Sequence, residues 1–61
     1  MTVTDILSKG KFQIVNVFQN GKSIETMSKG EAILKIGGME ISDFWIENDG
    51  LNCLNICIYL K

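Results

Sequence analysis

Histidine, arginine and proline are all missing from this 61-residue chain, and each absence excludes something. Without His there is no side chain whose ordinary pKa suits it to general acid–base work near neutrality. Ser–His–Asp and Cys–His arrangements are therefore excluded within one chain. Without Arg the usual bidentate reader of guanine and phosphate is gone, which weighs against sequence-specific nucleic-acid recognition. The longest apolar runs fall well short of the roughly 20 residues that span a bilayer, so no membrane span is expected. No basic start leads into an apolar stretch with a small-residue cleavage site. The two cysteines are accordingly expected as reduced thiols in the cytoplasm.

The cysteines carry little chemistry. On a strand, Cys53 and Cys57 share a face with Cα atoms roughly 13 Å apart at about 3.4 Å per residue, whereas a disulfide needs about 4.4–6.8 Å. Neither has a neighbouring Lys in sequence to lower its pKa, so both read as small packed hydrophobes. Two Cys cannot supply a structural zinc site, although two chains meeting at this face would bring four. Glu47-Asn48-Asp49-Gly50 lacks the spaced oxygen ligands of a calcium loop, and Gly37-Gly38 sits in no phosphate-binding pattern. No metal, cofactor or enzymatic activity is expected.

What is present is apolar sequence cut by turn signals. At 61 residues the chain has room for one domain, residues 1–61. Its 46% hydrophobic content exceeds what so small a core needs, which points to an interface. TVTDILSKG reads as a short helix with Thr2 or Thr4 as N-cap, Ile6 and Leu7 buried and Gly10 near its end. KFQIVNVFQ and KSIETMS flank Asn20-Gly21, a type I′ hairpin dipeptide. The two-residue loop sets Gln19 against Lys22, Val17 against Ile24, Val15 against Thr26 and Ile14 against Met27.

SKGEAILKIGG is ambiguous. Ser28 and Glu31 have capping-box spacing and Gly37 could end a helix over residues 28–36. As a strand turning at Gly37-Gly38, the segment instead pairs Ile36 with Met39, Lys35 with Glu40 and Leu34 with Ile41. The strand reading is preferred because these pairs agree. The last hairpin turns at Asp49-Gly50, setting Trp45 against Leu54, Asp43 against Ile56, Ile41 against Ile58 and Met39 against Leu60. One face then collects Leu34, Ile36, Met39, Ile41, Trp45, Leu54, Ile56, Ile58 and Leu60 as core. The other collects Ile33, Phe44, Ile46, Cys53, Asn55, Cys57 and Tyr59. Asp43 is the one acid this register sends inward, and a bulge at Ser42-Asp43 turning it outward explains it better than catalysis. The expected fold is mainly β, a short N-terminal helix followed by a five-stranded antiparallel meander curling into a small barrel or packed sheet. The alternative is α+β with residues 28–36 helical.

Charge is divided along the chain. Residues 1–36 carry five Lys against Asp5, Glu25 and Glu31, a net of +2, and residues 37–61 carry Lys61 against Glu40, Asp43, Glu47 and Asp49, a net of −3. Aromatic side chains ringed by acids suit a protein contact. The expectation is a small non-enzymatic interaction module of adaptor or inhibitor type, acting as a homodimer or higher homo-oligomer. Phe44, Ile46, Cys57 and Tyr59 would form the assembly surface, rimmed by Glu40, Glu47 and Asp49 toward a basic partner.

A helix followed by five bent strands also resembles the layout of the Sm-like family, and VFQNGKSIE is similar to its strand, turn, strand passage. That resemblance implies RNA binding, with Lys9, Lys11, Lys22 and Lys29 near phosphates and Phe12 or Phe18 under a base. The net charge of −1 and the missing Arg oppose it.

Overall fold

A computed structural model describes residues 1–48 and 54–61. The first helix, α1 (Val3–Leu7), is held by a capping box at Thr2. The Asp5 N–H donates to Thr2 Oγ1 at 3.3 Å and the Thr2 N–H donates to Asp5 Oδ2 at 3.0 Å, so two orphan donors are satisfied reciprocally. The hydrogen bond from the Thr2 backbone N–H, and after it one from the Thr2 side chain, holds the Asp5 carboxyl below the ordinary aspartate value of 3.8. Val3, Ile6 and Leu7 are buried.

Strands β1 (Phe12–Gln19) and β2 (Lys22–Ser28) pair antiparallel around Asn20-Gly21. Both turn residues have positive φ, 55° and 78°, which is what a type I′ turn demands. Gln19 faces Lys22 as expected, but a bulge follows, so that Val17 faces Glu25, Asn16 faces Thr26 and Val15 faces Met27. The expected partners Ile24 for Val17 and Thr26 for Val15 are corrected by one residue. The reason is burial: the bulge puts Met27 on the Val15 side, where both are buried, and leaves Ile24 exposed.

Residues 29–36 form a helix, α2 (Lys29–Ile36), not the preferred strand. Ser28 is its N-cap, accepting from the Glu31 N–H at 3.3 Å, and the Gly37 N–H closes the last turn on the Ile33 carbonyl. An eight-residue helix is marginal alone, and packing decides the matter. Ala32 is buried, Ile33 and Ile36 pack on the core, and Leu34 points away at 88% exposure. Such spacing is helical and breaks the alternation a strand would need. The Lys35 ammonium lies 3.4 Å from Glu25 on β2 and 3.5 Å from Glu31; both carboxylates hold its pKa above 10.5, the hydrogen bond to Glu25 contributing most.

Strands β3 (Ile41–Asn48) and β4 (Leu54–Leu60) are antiparallel. The sheet order among the described residues is β2-β1-β4-β3, with β1 and β4 parallel at the centre. The architecture is therefore mainly β, an open mixed sheet of four strands with two short helices. It replaces the expected five-stranded antiparallel meander and its closure into a barrel. Passage through α2 carries the chain from one edge of the sheet to the other, the kind of connection that parallel neighbours require.

The β3–β4 register differs from the expected one by three residues. Asn48 faces Leu54, Ile46 faces Ile56, Trp45 faces Cys57, Phe44 faces Ile58 and Asp43 faces Tyr59. The expected Asp49-Gly50 turn, and Cys53, lie outside the described residues. An odd shift exchanges the faces of β3. Phe44 turns inward against the core, and Trp45 turns outward at 64% exposure. Pairing Asp43 with Ile56 would have buried a lone carboxylate, at a cost of several kcal/mol. The observed register leaves Asp43 exposed, aided by a bulge between Ile41 and Asp43.

The core lies on the helix side of the sheet. Val15, Val17, Ile56 and Ile58 from the central strands are fully buried together with Val3, Leu7 and Ala32 from the helices, each large aliphatic contributing about 1.5–3 kcal/mol. The two helices meet at Gly37, whose carbonyl accepts from the Thr4 N–H at 3.0 Å and from Thr4 Oγ1 at 2.9 Å.

Candidate functional site

Because β1 and β4 bury one face, their other face is left over, and register fixes what it carries. Three rows run across the sheet from β2 to β3. Ser28, Ile14, Asn55 and Glu47 form the first; Thr26, Asn16, Cys57 and Trp45 the second; Ser23, Phe18, Tyr59 and Asp43 the third. The β2 end is hydroxyl-rich, the middle mixes apolar and amide groups, and the β3 end holds tryptophan between two acids. No lysine occupies any of these described positions. Nothing among the described residues covers this face: Ile14, Trp45 and Tyr59 are exposed, Cys57 and Phe18 half-buried.

The rows are tied internally. Thr26 Oγ1 donates to Asn16 Oδ1 at 2.9 Å, and Asn16 Nδ2 donates to Cys57 Sγ at 3.8 Å, which links three strands through side chains. Beside them the Phe18 and Tyr59 rings stack with centroids 5.0 Å apart and planes 24° from parallel. That pair supplies a rigid aromatic floor. At the β3 edge, Ser42, Asp43, Phe44, Trp45 and Tyr59 line an open depression of about 360 Å³. Ser42 Oγ donates to the Tyr59 carbonyl at 3.1 Å and the Phe44 N–H donates to Asp43 Oδ1 at 2.8 Å. A carboxylate beside two electron-rich rings suits a lysine or arginine head through ion pairing and cation–π attraction.

The expected site residues are only partly brought together. Cys57, Tyr59 and Glu47 share the open face. Phe44 and Ile46 do not: they lie on the helix side with Ile58 and Ile56, Phe44 half-buried and Ile46 47% exposed. Glu40 precedes β3, bridges to Thr2 and pairs with the Met1 ammonium at 3.0 Å. Asp49 lies outside the described residues. Trp45, Ile14 and Asp43 are members that sequence reasoning missed. Asp43 was the signal, since a lone acid on a core face argues for the opposite register. Of the aromatic residues the Sm-like resemblance offered for a base, Phe12 is buried beneath Gly10, whereas Phe18 belongs to the open face.

No three His, Cys, Asp or Glu side chains among the described residues are grouped to hold a metal ion, and no helix among them is long and apolar enough to cross a membrane. Comparison of the chain with protein-family models, curated proteins and solved structures finds no match.

Proposed function

We propose that this protein is a small non-enzymatic interaction module that engages a protein partner of basic character through the uncovered face of its sheet. The observation that carries the reading is the β3 end of that face, where Asp43 and Glu47 flank an exposed Trp45 in register with Tyr59 and Cys57 and no cation shares the rows. Exposed aromatic anchors beside unneutralised acids select a basic, partly apolar surface. The test uses the single tryptophan as reporter. Titration with a lysine-rich peptide should shift Trp45 emission toward that of a buried indole, weakening as salt rises. A glutamate-rich peptide of equal length should leave it unchanged; equal responses to both, or to neither, would sink the reading.

Self-association on the same face is a second reading, supported by the apolar centre formed by Ile14, Phe18, Cys57 and Tyr59. Light scattering over a concentration series decides it. A closed oligomer that Tyr59→Lys dissolves supports this use of the face, and a folded monomer at every concentration removes it. RNA binding draws less support, because the exposed aromatic rows are acidic and Lys29 Nζ is spent on the Gly10 carbonyl at 2.9 Å.

A further inference from the structure

We infer that the edge of β3 at Phe44 and Ile46, which no other described strand pairs with, accepts an extended partner segment as an added antiparallel strand, in which Lys or Arg alternates with an apolar residue. This rests on the reading above and specifies how the partner binds. The Phe44 N–H donates to its neighbour Asp43 Oδ1, so it is turned away from β4. Strand alternation then directs the main-chain groups of Phe44 and Ile46 to the outside of the sheet. The start of the same edge is already occupied in this manner. Thr2 bridges Glu40 antiparallel and the Ile41 N–H donates to the Met1 carbonyl at 3.0 Å. Beyond the bulge at Ser42 the pairing of β3 with β4 is regular from Asp43 to Asn48, whereas β2, the opposite edge, is interrupted by its own bulge, a feature that discourages strand addition.

The side chains along this edge specify the occupant. Asp43, Trp45 and Glu47 alternate on one face; Phe44 and Ile46 alternate on the other. Cross-strand neighbours share a face, so a matching strand presents cations to the first set and apolar groups to the second. A second copy fits less well: antiparallel pairing of two β3 strands centred on Trp45 would oppose Asp43 to Glu47 of the other chain. Asp43 also occupies the Phe44 N–H, and a lysine drawing the carboxylate into the depression beside Trp45 and Tyr59 would release that donor to the incoming strand.

The experiment uses the whole protein and modifies only the probe, so folding is not at stake. The probe is an acetylated and amidated peptide alternating Lys and Val, with Trp45 fluorescence as readout. In an antiparallel addition the residues facing Phe44 and Ile46 exchange the hydrogen bonds, and these are the valines. Methylating the valine backbone nitrogens should weaken binding by about tenfold or more through lost hydrogen bonds, while methylating the lysine backbone nitrogens blocks only the far edge and should leave affinity unchanged. Equal retention or equal loss with the two methylated peptides overturns strand addition, and loss confined to the lysine-methylated peptide overturns the antiparallel arrangement. No response to the unmodified peptide overturns this inference together with the proposed function; retained binding with no discrimination leaves the function standing.

Discussion

Truncating Phe44 and Trp45 separately tests the arrangement of β3, because the two residues exchange roles between the register expected from sequence and the observed one. A fully buried Phe truncated to Ala costs about 3–5 kcal/mol. Phe44 is half-buried against the core, so Phe44→Ala should cost about 2 kcal/mol on the same scale. A chain of 61 residues has a total stability of about 3–9 kcal/mol at typical per-residue values. The variant should therefore remain folded while losing a large share, a drop in Tm of roughly 8–16 °C at this size. Trp45, 64% exposed, should behave as a surface position, with Trp45→Ala within about 0.5 kcal/mol of wild type. Urea unfolding followed by circular dichroism measures both without relying on the indole. A Trp45→Ala loss larger than the Phe44→Ala loss would refute the register and, with it, the composition of the open face.

Other outcomes follow from single contacts. Ser28→Ala removes the side-chain acceptor of the Glu31 N–H and should cost about 1 kcal/mol, with amide exchange rising first in α2. Gly37→Ala forces a methyl against the Ile33 carbonyl and Thr4 Oγ1, whereas a methyl at Gly38 meets nothing; urea midpoints should show about 1–3 kcal/mol lost at the first and little change at the second. Asp5 has a lowered pKa in the folded chain, so between the two values the unfolded chain holds the extra proton and stability rises with pH. Its contribution is complete above the ordinary value of 3.8 and disappears as pH falls through the lower folded value. Melting curves of wild type and Asp5→Asn should thus converge as pH is lowered from about 5 to about 2.

Local signals were legible in the sequence. Thr2 was one of two N-cap candidates, with Thr4, for the start of α1, Asn20-Gly21 fixed a turn whose two residues both have positive φ, and the alternation Ile56, Ile58, Leu60 identified the buried face of β4. What failed depended on distant contacts. The cap at Ser28 was visible, but α2 owes its stability to Ala32, Ile33 and Ile36 packing with the sheet, which no local pattern weighs. The parallel pairing of β1 with β4 joins strands separated by most of the chain, beyond the reach of turn dipeptides. In β3 the period of two was correct and the phase was not, because a two-residue loop at Asp49-Gly50 sets Trp45 against Leu54, whereas Trp45 faces Cys57. That phase decided the site: it exchanged Phe44 and Ile46 for Trp45 and Asp43.

Binding of a basic strand at β3 can be located by an amide chemical-shift map of the labelled protein titrated with the alternating Lys-Val peptide at low and high salt. Salt-sensitive shifts should concentrate at residues 43–47 and at Tyr59, with α1 and α2 unmoved. Shifts centred on the helices, or the same map with an alternating Glu-Val peptide, would contradict such binding.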